Sequence, residues 1–128
     1  MSRPIKFRAW DKRNNKMLQW GNLLHMYNTL ICLSFNFFKI MQYTGLKDNK
    51  RTEQYPEGQE IYEGDILKIN RWKPKTGVVE FIEGGFCVVT DSDRNYTHDI
   101  NIFYPSVGCQ IEVVGNIYEN PELSKEDE

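Results

Sequence analysis

The sequence predicts a mainly β domain: a small, partly barrel-like curled sheet, SH3-like in part, with one short helix. Three observations predict it. Short runs that alternate with period two, or are rich in β-branched and aromatic residues, recur along the chain. Turn signals rich in Gly, Pro, Asn and Asp separate them about every 8 to 12 residues. No regular succession of strands and long helical segments is present, which argues against layered α/β architectures.

Each element follows from local chemistry. In residues 4–10, Ile5, Phe7 and Ala9 share one face while Lys6, Arg8 and Trp10 share the other, which reads as a strand. Residues 11–16 are entirely polar and contain Asn14 and Asn15, which tolerate positive φ, so a hairpin is expected before the apolar pattern resumes at Met17. From Asn22, a candidate N-cap behind Gly21, the residues Leu23, Met26, Tyr27, Leu30 and Ile31 follow helical spacing. A short helix is favoured; Thr29, Ile31 and the aromatics at 35–38 are the competing strand signal, and periodicity alone does not settle 22–34 between helix and strand. Residues 36–43 finish as a strand. The polar stretch 47–60, with Pro56 and Gly58, reads as a mobile surface loop.

The second half reads as a meander. Residues 62–70 place Leu67 and Ile69 on one face, 71–77 turn, and 78–82 and 86–90 are β-rich runs around Gly84 and Gly85. Residues 91–97 form another polar turn, 100–104 a short strand, and 110–118 a final strand that Pro121 ends.

Size and composition set the bounds. The chain has 128 residues, of which 40% are hydrophobic and 13% aromatic, and it fits one compact domain with a radius of gyration of about 14 Å. Aromatic side chains bury large areas, so folding needs no cofactor. No apolar run approaches the roughly 20 residues of a membrane span, and no leader pattern opens the chain, so the expectation is a non-exported protein without a membrane partner. Cys32, Cys87 and Cys109 show no CxxC spacing and read as buried thiols in a reducing compartment. Neither His25 nor His98 has a second Cys or His within four residues, so no zinc pattern exists.

Charge is nearly balanced in sum and uneven in place. Residues 1–16 carry a net charge of +5 and residues 110–128 one of −5. Either the two ends attract each other within or between subunits, or the basic end faces a polyanion.

Four segments also carry a resemblance: residues 6–11 (KFRAWD), 41–48 (MQYTGLKD), 61–66 (IYEGDI) and 111–123 (IEVVGNIYENPEL). Together, and in this order, they resemble the YopX family of small phage and prophage proteins. The chain departs from that pattern with a longer connection between Asp48 and Ile61. The resemblance implies one YopX-like domain over 1–123, made of an N-terminal hairpin part (1–46), the loop (47–60) and a β-meander part (61–123), with 124–128 as an acidic tail. It implies an origin in a phage or prophage genome and a location in the bacterial cytoplasm. It supplies no activity to carry over.

Candidate chemistry is weighed against simpler readings. Glu60, Glu63 and Asp65 bring three carboxylates together, but a solvated start to a strand is the expected role. His98 and Asp99 lie near Ser106 and Cys109 without a nucleophile elbow. Asp91 to Asn95 imitates a calcium loop, yet Tyr96 stands where Gly is required and Ile102 where Glu is required. No enzymatic activity and no cofactor are therefore expected. The candidate nucleic-acid-binding residues are Lys12, Arg13 and Lys16 in the first hairpin turn, and Arg71, Trp72, Lys73 and Lys75 in the turn after Ile69, where cations stand beside an aromatic. The expected state is a homo-oligomer that contacts a host or phage protein, with nucleic acid as the alternative partner.

Overall fold

The structure, a computed structural model, describes residues 5–24, 38–70, 75–90, 97–99 and 110–125. The chain is mainly β, as its period-two runs require. Its strands are β1 (Phe7–Asp11), β2 (Lys16–Leu18), β3 (Phe38–Lys47), β4 (Glu60–Tyr62), β5 (Asp65–Asn70), β6 (Lys75–Ile82), β7 (Gly85–Thr90), β8 (Thr97–Asp99) and β9 (Gln110–Asn116). A short helix, α1 (Trp20–Leu24), follows β2, and a 3-10 turn (Pro121–Lys125) follows β9.

Two antiparallel sheets result. The first has the order β2-β1-β3-β4 and the second β8-β7-β6-β5-β9. The expected first hairpin is present: Asp11 pairs with Lys16, and Asn15 has a φ of 52° in the turn between them. The second hairpin has a two-residue loop closed by Ile82 and Gly85, with Glu83 and Gly84 both at positive φ, the form that matches strand twist.

Two clusters make the core. Ala9, Leu18, Leu23 and Phe38 pack on one face of the first sheet. The larger cluster joins Leu67, Ile69, Val79, Phe86, Val88 and Ile111 of the second sheet to Ile61 of β4, with Leu46 of β3 packed against it. The β3–β4 register slips between Tyr43 and Lys47, and the β5–β9 register slips so that Val114 is an extra residue. Such bulges bend strands and curl a sheet.

Several boundaries differ from the sequence expectation. The helix starts at Trp20 and not after Asn22: Gln19 accepts the first helical bond from the Leu23 N–H, and the Asn22 side chain reaches back to the Gln19 N–H, so Asn22 acts from inside the first turn. Residues 62–70 are not one strand, because Gly64 at φ 88° breaks the run and sends β4 and β5 into different sheets. The positive φ favours glycine, and a Cβ there would meet the Met41 sulfur at 3.0 Å, so the Met41 side chain would have to give slightly. The turn after β5 ends earlier than Gly77, since Lys75 already pairs with Ile69. The undecided stretch beyond Leu24, the strand expected at 100–104, and Cys32 and Cys109 lie outside the described residues.

The loop at 48–59 has an exposed stretch from Arg51 to Glu57 and anchored ends. Asp48 is buried, and its carboxylate accepts hydrogen bonds from the N–H groups of Gln59 and Val113. Asn49 accepts from the Ile111 N–H through its side chain and donates its own N–H to the Ile111 carbonyl. The Asn120 side chain accepts from the Asn116 N–H. Three side-chain oxygens therefore cover the outer edge of β9, which would otherwise offer unpaired donors to another chain.

Candidate functional site

Period two decides what faces what. With Phe7 and Ala9 packed into the first core, Arg8 and Trp10 of β1 point the other way, toward the second sheet. There Arg8 meets Asp65 at the start of β5, its Nη2 donating to Oδ1 at 2.7 Å. Arg8 is 6% exposed and Asp65 1%. The second carboxylate oxygen accepts from the Tyr62 N–H at 2.8 Å, and Arg8 also donates to the Glu63 carbonyl at 3.3 Å. The guanidinium lies 4.7 Å from the centre of the Tyr62 ring. Among the described residues, its buried Nε has no hydrogen-bond partner.

Aromatic rings frame this pair. Trp10 stacks on Tyr118, which follows β9, at 5.6 Å between ring centres, and Tyr43 packs on Tyr62 at 5.4 Å. Lys6 binds Glu60 at 2.6 Å and lies over the Tyr43 ring. Asn116 anchors the turn beyond β9, where its side-chain oxygen accepts from the N–H groups of Tyr118 and Glu119. Gly115 leaves room for Asn120, whose Oδ1 would lie 2.5 Å from a Cβ at that position.

Burial governs the titration of these groups. It pushes the Asp65 carboxyl up, against the opposing charge of Arg8 and the Tyr62 N–H. It raises the Tyr62 phenol to about 12, assisted by the Glu60 charge, and also raises Tyr43 and Tyr118. Burial also works against the Asp11 carboxylate in the first hairpin, but hydrogen bonds from Asn14 and Arg13 and the Arg13 charge hold it below its ordinary value.

Beside the pair opens a polar cleft of about 340 Å3. Arg8, Asp65, Gln59, Asn116 and Glu119 contribute to its lining, as does the bulged stretch 113–115. It offers hydrogen-bond donors and acceptors and almost no apolar wall.

The three candidate carboxylates are thus in different situations. Asp65 is not solvated, contrary to expectation, because its partner arrives from β1; Glu60 pairs with Lys6, and Glu63 accepts from the Gln42 N–H. Among the described residues, no group of three or more His, Cys, Asp and Glu side chains is placed to hold a metal ion. His98 and Asp99 lie on β8, while Ser106 and the 91–96 segment fall outside the described residues. Cys87 is a half-buried thiol.

Of the candidate basic residues, Lys12 and Arg13 occupy the first hairpin turn and Lys16 opens β2; all three are exposed. Arg13 lies over the Phe38 ring and 3.9 Å from Asp11. Arg71, Trp72 and Lys73 lie outside the described residues, and Lys75 opens β6 in the other sheet. Sequence reasoning missed Lys39, which is exposed on β3 opposite Trp10 and so stands beside the first hairpin. It also missed Asp48, whose role depends on a strand more than sixty residues away.

Among the described residues, no helix is long and apolar enough to cross a membrane. No protein of curated function matches the chain. Solved structures do, among them the following two. Protein EF1440 from Enterococcus faecalis is 26% identical, with 98% of this chain and 100% of that one covered and a TM-score of 0.65. Protein yopX from Bacillus subtilis is 20% identical, with 92% and 96% covered and a TM-score of 0.60, a likeness of fold. The model of the family described as YopX protein matches residues 6–125, the span that contains Arg8, Asp65, both aromatic pairs and the bulged β9, and on this match the chain belongs to the YopX family.

Proposed function

We propose that this chain is a non-enzymatic accessory protein, encoded by a phage or prophage and acting in the bacterial cytoplasm, that works by contacting another macromolecule and by self-association. One observation carries the reading. Polar side chains of the blocks that resemble the family are engaged inside the fold: Arg8 with Asp65, Lys6 with Glu60, and Asp48 with the N–H groups of Gln59 and Val113. Arg8–Asp65 and Asp48–Val113 fasten the two sheets together while Lys6–Glu60 braces the first, and a scaffold of this kind presents surfaces. Self-association draws support from charge of opposite sign at separated places, with Lys12 and Lys16 exposed on the first hairpin and Glu119 and Glu122 exposed beyond β9. Phe81, 48% exposed beside the second hairpin, adds apolar surface for such a contact.

Light scattering at several salt concentrations tests the assembly, with a mass above the monomer expected at low salt. Chemical cross-linking in prophage-carrying cells, with the cross-linked residues mapped, tests the contact. A strictly monomeric protein that cross-links to nothing would overturn the reading. So would a chemical turnover lost on a folded Asp65→Asn variant.

A further inference from the structure

The cleft beside Arg8 and Asp65 is lined by polar side chains that the described part of the chain leaves unsatisfied. Gln19 just before α1, Gln59 just before β4 and Tyr55 in the 48–59 loop all contribute to its lining. Among the described residues, no hydrogen bond engages the side-chain amide of either glutamine or the Tyr55 hydroxyl. Each amide carries donors and an acceptor, and the phenol is both at once. Tyr55 is 37% exposed, yet its backbone is pinned: its N–H donates to the Thr52 hydroxyl, and its carbonyl accepts from the Thr52 and Gly58 N–H groups. The ring is thus carried to the cleft by a loop that Asp48 and Asn49 fasten to β9.

The engaged groups set the charge. Arg8 and Asp65 neutralise each other, and Glu119, which accepts from the Asn116 amide, adds a second anion against the one cation of the lining. Arg8 is also short of acceptors. Its Nη2 serves both Asp65 and the Glu63 carbonyl, while its buried Nε has none among the described residues, so the guanidinium gains by turning toward an acceptor brought into the cleft.

These features select a ligand. Small-molecule sites of about 300–1,000 Å3 ordinarily have apolar walls; this cleft, of about 340 Å3, has the volume without the walls, so an apolar ligand gains little there. A phosphate or dicarboxylate would face Glu119 and find Arg8 already neutralised. A ligand that only donates or only accepts would leave half of the lining unpaired, at the cost of its desolvation. A hydroxyl donates and accepts at one atom. A ring bearing several hydroxyls, with C–H groups to lie on the Tyr55 face, meets all of these conditions. We propose that the cleft binds a neutral saccharide, with Gln19, Gln59 and Tyr55 as contact residues and the Arg8–Asp65 pair as its floor. This small-molecule site goes beyond the reading of the chain as an interaction protein.

Saturation-transfer-difference NMR on the full chain tests this with glucose, galactose, N-acetylglucosamine and maltose, each titrated into the millimolar range. At least one is expected to bind and to shift the side-chain amide signals of Gln19 and Gln59. Gln59→Ala removes one hydrogen-bonding side chain and should weaken binding roughly 2- to 10-fold. Tyr55→Ala should weaken it at least as much, and Tyr55→Phe, which keeps the ring, less. All three variants should keep the wild-type circular dichroism spectrum. Glucuronate should bind more weakly than glucose, and Glu119→Gln should narrow that difference. Maltose binding more tightly than glucose would support the site and mark a glycan chain as the source; equal affinity would support it with a free sugar as the source. No sugar binding by the wild type, binding that Gln59→Ala and Tyr55→Ala leave unchanged, or adenosine binding more tightly than every sugar would overturn the proposal. Self-association and cross-linking do not depend on these outcomes, so failure here leaves the broader reading intact.

Discussion

Arg8 and Asp65 form the most consequential pair of residues in the molecule, and their physics is asymmetric. Taking both charges out of water is costly, so the pair's net contribution to stability is small, whereas leaving one charge buried alone is severe. Arg8→Ala or Asp65→Ala is expected to cost about 3–5 kcal/mol in urea denaturation. The double change Arg8→Met/Asp65→Leu should recover most of that loss, because no charge is stranded and the volume is filled. If the single variants cost under 1 kcal/mol, on the order of a surface pair, the burial seen here is not maintained in solution. Tyr62 gives a second prediction with a definite sign. Its folded value is raised to about 12 from 10.0, so the unfolded chain loses its proton first as pH rises. The associated stability is complete below pH 10 and declines between 10 and about 12. Thermal melts across that range should show the decline, and Tyr62→Phe should make it shallower.

Turns and edges decide how the elements behave. Glu83 has a φ of 51° in a loop whose geometry suits Asn or Gly. A side chain held in that region costs on the order of 1 kcal/mol, so Glu83→Gly or Glu83→Asn is expected to stabilise by about that much and raise Tm by a few degrees. A lower Tm for both variants would contradict this account of the turn. At the β9 edge, Asp48→Ala would leave the Gln59 and Val113 N–H groups without acceptors, at about 1–3 kcal/mol each. The same change uncovers an edge, so this variant should also associate more strongly with rising concentration by light scattering. These cases show what the sequence makes legible. The β1–β2 and β6–β7 hairpins can be read directly because alternation and turn residues are local signals. Asp65 reads as a solvated acid beside Glu63 and Gly64, and nothing local reveals that Arg8 reaches it from 57 positions away. Lys39 goes unnoticed for the same reason, since only the β1–β3 register sets it beside the first hairpin.

The two sheets are joined through apolar and polar contacts alike, and this governs how the whole molecule unfolds. Ile61 and Leu46 of the first sheet belong to the core of the second, the Gly64 N–H donates to the Val79 carbonyl, and Trp10 stacks on Tyr118. A break between the sheets would expose Ile61, which is fully buried, and would strand Arg8 opposite an absent carboxylate. Neither sheet therefore has a stable state without the other, and one cooperative transition is expected. In a Trp72→Phe background, tryptophan fluorescence reports the first sheet through Trp10 and Trp20, while far-UV circular dichroism averages over both sheets, so the two urea curves should superimpose. Ile61→Ala removes packing at the joint and should cost about 2–5 kcal/mol while shifting both curves together. Two separated midpoints in the Trp72→Phe background with Ile61 intact would mean that the sheets are independent units and that the Arg8–Asp65 pair does not couple them.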